Sequence, residues 1–281
     1  MTKAAWDVFC TAKSRYKRLV EEISAVPDLG AAVQKLVDHR AGPSYTVDTP
    51  AVYNLALDEL TPDSEIKMIL VADNPGRREQ AAENRRYLVG PSGKIAEGFF
   101  RSSPALGIDF RANVLILNKT PVHTPRTAEL KELCRIGGES LKDAVLSSQR
   151  VMAELLAEFW EALRKDAGRR WGGRKNSPEF EAAGELYSGP KEEFPAGFLS
   201  IPIWIIGYSE MKKGGIFETY TERLKELCGD NPTFKEHIFF YRHFSMNQFA
   251  IDLKRQTRPG GTVEENLRRI GAAYRERVLD G

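Results

Sequence analysis

Apolar residues recur at helical spacing from residue 4 to about 38: Trp6, Val8 and Phe9, then Leu19, Val20 and Ile23, and later Leu29, Val33, Leu36 and Val37. Pro27 divides this stretch into two predicted helices, because a proline ring cannot continue a helix interior. Residues 1–45 therefore read as a helical N-terminal lead-in, and Gly42, Pro43 and Pro50 mark a connector into the remainder, 46–281. From Ile66 the pattern changes to short apolar runs of strand length. Ile66 to Ala72 stops at Asn74-Pro75-Gly76, Asn113 to Asn118 at Lys119, Ile201 to Gly207 at Tyr208-Ser209, and Glu236 to Tyr241 just before His243.

Helical patterns separate these runs. One opens at Ser92 and passes through Ile95, Phe99 and Phe100; another spaces Leu141, Val145, Met152, Leu155, Leu156, Phe159 and Leu163 along one face; a third spans Thr219 to Leu227. A closing helix over 262–279 starts at Thr262, with Glu265 at capping-box spacing. Strands alternating with helices predict an α/β fold, a three-layer αβα sandwich around a central four-stranded parallel sheet. Residues 164–200 lack periodicity, carry a run of basic residues around Trp171, and read as an irregular basic insert with a solvated loop and a helix end.

With 281 residues, 42% hydrophobic and 28% charged, the chain is long enough for one large domain and unlike a disordered one. Net charge is only +2, so any nucleic-acid surface has to be local. Cys10, Cys134 and Cys228 are isolated, which predicts neither a disulfide framework nor a metal site, and a reducing cytoplasm suits them. No apolar stretch approaches the roughly 20 residues of a membrane span, and charges interrupt the N-terminus where a signal peptide needs an apolar run.

A parallel sheet collects the polar strand ends Asn74, Asn118, Ser209 and His243 on one edge, where α/β proteins bind ligands. Two amides and an imidazole converging there can hydrogen-bond a planar heterocycle. Gly90-Pro91-Ser92-Gly93-Lys94 is not a phosphate-binding P-loop, since Leu88 stands where that motif needs glycine and Ile95 where it needs Ser or Thr.

Taken in order, these segments resemble the uracil-DNA glycosylase superfamily. Leu70 to Gly76 resembles the first glycosylase motif, a strand ending in a turn of the type Gly-x-(Asp/Asn/Gly)-Pro-(Tyr/Gly). Glu79 to Gly93, with Tyr87 to Gly93 at its end, is similar to the Pro-Phe-Val-Gly-x-x-Gly stretch of the iron–sulfur bacterial branch, Leu115 to Thr124 to the Leu-Leu-Leu-Asn segment, and Ile203 to Gly214 to the third-strand segment with its lysine turn. His243-Phe244-Ser245 resembles the His-Pro-Ser motif. Together they span residues 66 to 250.

The resemblance implies a monofunctional DNA repair hydrolase that flips uracil or a related deaminated base out of the duplex and hydrolyses its N-glycosidic bond, with no cofactor. It implies that His243 donates to the departing base oxygen, Asn74 orients water, Asn118 reads the base edge, and Leu88 or Tyr87, with Gly76, contacts the base. Ser92, Lys212, Lys213 and Ser245 would hold DNA phosphates, and Met246 would be the apolar wedge in the minor groove. Asn74 replaces the aspartate of the most active branch, so slow turnover is expected. Asp73 should point away from the pocket by strand alternation. Three scattered cysteines cannot hold the four-cysteine cluster of the iron–sulfur branch. DNA is the expected partner, without a membrane or metal cluster, and the protein is expected to be a cytoplasmic monomer. The alternative is a catalytically weak or inactive nucleic-acid-binding protein on the same fold. A third reading is a nucleoside hydrolase, resting on the heterocycle pocket alone.

Overall fold

The four predicted strands pair as one sheet. In the computed structural model, which describes residues 1–40, 42–172 and 201–281 (side chains of 166–172 excepted), β1 Met68–Ala72, β2 Val114–Asn118, β3 Ile203–Ile206 and β4 Ile238–Tyr241 lie in the order β2-β1-β3-β4, all parallel. Ala72 pairs with Asn118, Ile69 with Ile203, and Ile206 with Tyr241. Almost every strand residue is buried, Phe239 excepted, which is why the runs are continuous rather than alternating. Helices flank the sheet, an arrangement consistent with three layers. The Trp204, Phe100, Phe249 and Tyr241 rings pack together over part of the sheet, Phe100 and Trp204 at 5.5 Å between centroids.

Pro27 does divide the N-terminal segment, into α1 Lys3–Ser24 and α2 Leu29–Asp38. Thr2 caps α1, its hydroxyl accepting from the Ala5 N–H at 3.2 Å. The lead-in shares the core of the rest: Phe9 meets Phe159 at 5.0 Å, and the Tyr16 hydroxyl bonds that of Tyr87. Further helices are α3 Arg77–Gln80, α4 Pro91–Ser102, α5 Glu129–Ile136, α6 Gly138–Gly172, α7 Glu218–Asp230, α8 Pro232–Glu236, α9 Gln248–Gln256 and α10 Val263–Arg275. The Thr262–Glu265 capping box forms at the start of α10, with bonds of 3.1 and 2.7 Å.

The first residues of the predicted basic insert are helical. α6 runs on to Gly172, and Arg164 and Lys165 pair with Glu161 one turn back, so the charges at its start belong to a helical face; residues 173–200 lie outside the described residues. Among the described residues no helix is long and apolar enough to cross a membrane, no cluster of His, Cys, Asp or Glu could hold a metal ion, and the three cysteines are free thiols.

Candidate active site at the carboxyl ends of the strands

The chain leaves β1 toward β2 on one side and leaves β3 toward β4 on the other, so the crevice of a parallel sheet falls between the ends of β1 and β3. Lys119 fills the floor of that crevice. It follows β2 directly, is 0% exposed, and reaches across β1, donating from Nζ to Asp73 Oδ1 at 2.5 Å and to the Ile206 carbonyl at 2.6 Å. Its ammonium also lies 4.8 Å from the centre of the Phe217 ring. Burial draws the Lys119 amine down from its ordinary range, opposed chiefly by Asp73. Gly207 makes the close approach possible: at φ +79 it lies where a Cβ would come within 2.5 Å of Asp73 Oδ1. Asp73 is thus not turned out of the site as alternation predicts. β1 stops at Ala72, and beyond it the strand's period no longer governs the side chain.

The two asparagines meet different fates. Asn74 is tied down at both ends of its amide, Nδ2 donating to Thr124 Oγ1 at 2.9 Å and the Val122 carbonyl at 3.3 Å, while Oδ1 accepts from Thr127 Oγ1 at 3.0 Å. Asn118 is 1% exposed, and among the described residues neither of its amide atoms makes a hydrogen bond of ordinary geometry, although the Tyr87 hydroxyl lies close enough to interact with it. A buried amide left without good hydrogen bonds costs on the order of 1–3 kcal/mol, so a better partner at this position would be stabilising. The Tyr87 hydroxyl is its neighbour: burial drives that phenol well above its ordinary range, Tyr16 and Glu79 add to the rise, and the Asn118 amide opposes it.

His243 has a defined tautomer. The Ser245 backbone N–H donates to Nδ1 at 3.0 Å, and the Ser245 hydroxyl lies 2.7 Å from the same nitrogen. A nitrogen accepting a backbone N–H carries no proton, so the neutral ring holds its proton on Nε2, free to donate. Burial keeps the imidazole below its ordinary value; Asp73 acts against this and Lys119 with it, so the buried ion pair is felt at the histidine. Beyond His243 the chain turns tightly. Met246 and Asn247 both adopt left-handed backbone, at φ +51 and +58, and Met246 is 79% exposed at the tip. Two such residues cost about 1 kcal/mol or more each, and the turn is anchored by Phe244 and Phe249, buried with centroids 4.5 Å apart.

The segment from Gly76 to Gly93 is organised by one carboxyl group. Glu79, buried, accepts the Gly76 N–H at 3.1 Å and also takes the backbone N–H of Leu88; burial raises it to about 7 against these bonds and Arg111. Leu88 is buried with φ +53, and its carbonyl passes so near Gly93 that a Cβ there would lie 1.5 Å away. Tyr87 is turned into the core, donating to the Val52 carbonyl at 2.6 Å, so it presents no open face for a base. Gly76 has open space where a Cβ would stand. Ser92 is half-buried in the first turn of α4, and Lys212 and Lys213 are exposed in the turn after β3.

His123, unassigned by the sequence pattern, braces the first turn: Nδ1 donates to the Pro75 carbonyl at 2.7 Å and Nε2 accepts from the Tyr45 hydroxyl at 3.0 Å. Burial lowers it to about 4, so it is a neutral strut. Lys119, Glu79 and His123 lie within the motif segments, but the sequence assigned them no role. A lysine directly following an apolar strand was the one visible signal. His243 presents a neutral imidazole donor beside the buried Lys119–Asp73 ion pair, while the Asn118 amide lies buried against the Tyr87 hydroxyl. Compared with protein-family models, curated proteins and solved structures, the chain matches none.

Proposed function

We propose that the protein is a DNA glycosylase that hydrolyses the N-glycosidic bond of uracil or a related deaminated base, on a uracil-DNA glycosylase-like fold. The observation that carries the reading is the His243–Ser245 pair, which leaves Nε2–H as a neutral donor at the strand-end edge. As the glycosidic bond breaks, negative charge grows on the base oxygen, and a fixed donor there stabilises the transition state by roughly 3–4 kcal/mol. The Asn118 amide, without a hydrogen bond of ordinary geometry, offers the donor and acceptor that a uracil edge needs. Exposed Met246, held on a rigid turn, has the form of a wedge entering the gap left by a flipped base.

The reaction is a hydrolysis: the bond from sugar carbon to base nitrogen breaks with its electron pair leaving on the base, water adds to the sugar, and a proton returns to the base. No residue on this edge forms a covalent intermediate in this reading. Asn74 can at most position water through the remaining lone pair of Oδ1.

The test is excision from labelled DNA carrying uracil, hypoxanthine or xanthine, followed by alkali. The expected result is scission at one or more of these bases, reduced strongly by His243→Ala and Asn118→Ala. No scission with any base ends this reading. The second reading, a nucleic-acid-binding protein with weak or no catalysis, is favoured by the closed hydrogen bonding of Asn74 and the burial of Asn118. Tight binding to abasic DNA without scission of any base would select it.

A further inference from the structure

A cavity of about 710 Å³ opens between residues 45–48 of the connector and residues 77–84, immediately after the Asn74-Pro75-Gly76 turn, and the reaction above does not use it. Its size falls within the roughly 300–1,000 Å³ of sites for small organic ligands. The two walls are locked together by the buried Gln80. Its Oε1 accepts from Asp48 N–H at 2.7 Å and Thr49 N–H at 3.3 Å, its Nε2 donates to the Thr46 and Arg77 carbonyls, and Asp48 Oδ2 accepts from Ala82 N–H at 3.0 Å. The frame is therefore preformed.

Against this frame, Arg77, Arg78 and Asn84 face the cavity with no side-chain hydrogen bond or ion pair among the described residues. The Arg77 guanidinium lies over the Tyr45 ring at 4.7 Å, which holds it in place while leaving its N–H groups free. Two guanidiniums fit a phosphate. Asp48 and Glu83 line the same cavity, so the charges balance and a dense polyanion is disfavoured, whereas hydroxyl or amino donors beside a single phosphate are accommodated. The Asn84 amide can pair with the edge of a base.

We propose that this cleft is a second binding site, for one nucleotide unit, with Arg77 and Arg78 on the phosphate and Asn84 on the base. Two sources supply that chemistry: a free nucleoside monophosphate, or the adjoining nucleotide of a strand engaged at the strand ends. The Tyr45–His123–Pro75 chain of hydrogen bonds links the cleft to the turn that carries Asn74.

The test is direct binding, by calorimetry, of the four nucleoside 5′-monophosphates, inorganic phosphate and a short single-stranded oligonucleotide, to the full chain and to Arg77→Gln, Arg78→Gln and Asn84→Ala. Losing one charge-assisted contact predicts about tenfold or more weakening for each arginine variant. Weakened binding of monophosphates assigns the free nucleotide; weakening of the oligonucleotide alone assigns the adjoining nucleotide. Inorganic phosphate bound as tightly as any nucleotide overturns the assignment, as does unchanged affinity for every ligand in arginine variants that melt like the parent. The measurement does not use excision: the cleft stands if binding holds and no base is cleaved, and fails alone if bases are cleaved but the arginine variants bind normally.

Discussion

Lys119 and Asp73 form a buried ion pair that spans the sheet: a side chain from the end of β2 crosses β1 and reaches the last carbonyl of β3, with 2.5 Å between Nζ and Oδ1. Alone, either charge at this position would be uncompensated. Asp73→Asn and Lys119→Met should each lower unfolding free energy by about 3–5 kcal/mol, while the double variant should lose less than the sum, since it leaves no orphaned charge. Urea denaturation of the four proteins measures this. Single variants costing under about 1 kcal/mol would show the pair to be solvated.

Gly207 and Gly76 make opposite predictions although both border the site. A Cβ on Gly207 would meet Asp73 Oδ1 at 2.5 Å from a left-handed backbone, so Gly207→Ala should destabilise by about 2 kcal/mol or more. Gly76 has ordinary extended backbone and nothing within 4 Å of the added carbon, so Gly76→Ala should melt like the parent. If a base lodges beside the Asn74 turn, that same methyl should raise KM for excision. Thermal melts and kinetics of the two variants check both statements, and a cooperative parent-like melt for Gly207→Ala would contradict the first.

Much of this fold could be read from the chain because the relevant signals are local. Buried strands announced themselves as apolar runs ending in Asn74-Pro75-Gly76 or Asn118, and the Thr262–Glu265 spacing marked the start of α10. The site was legible only as a set of strand ends. What ties those ends together acts over long separations: Lys119 to Ile206, Tyr16 to Tyr87, His123 to Pro75. A lysine after a strand ordinarily looks solvated, and nothing near it in sequence says that a crevice two strands away will take its ammonium. α9 was hidden for another reason, since Asp252, Lys254, Arg255 and Gln256 dilute its apolar face to a few positions around Phe249.

Glu79 links stability to pH. Its carboxyl is raised from 4.5 to about 7 by burial, so the folded state holds a proton that the unfolded chain releases at lower pH. Between about pH 4.5 and 7 the folded protein binds more protons than the unfolded, and this group's contribution to stability falls as pH rises through that window. The span is worth on the order of 3 kcal/mol. Glu79→Gln keeps an acceptor for the Gly76 and Leu88 N–H groups and cannot ionise, so the difference in unfolding free energy between variant and parent should shift in the variant's favour from pH 5 to pH 7.5. A constant difference across that range would place the carboxyl in water.

His243 acts with the opposite sign, and its pH dependence separates a donor from a structural histidine. Its folded value is held below the ordinary 6.5 by burial, so the ring stays neutral at pH 7 and becomes protonated only at lower pH. The unfolded chain binds the proton first, so stability falls as pH drops below about 6.5. Protonation puts a hydrogen on Nδ1, which destroys its role as acceptor of the Ser245 N–H and dislodges the turn that carries Met246. If the protein excises bases as proposed, excision should therefore be level from pH 7 upward and fall on the acid side. Ser245→Ala removes the hydroxyl but leaves the backbone N–H, so a loss of about tenfold is expected, against roughly 10²- to 10³-fold for His243→Ala. His243→Gln keeps a donor and loses the titration: retained partial activity with no acid limb assigns the donor role to the Nε2 position, whereas an acid limb unchanged in His243→Gln would assign that titration to another group.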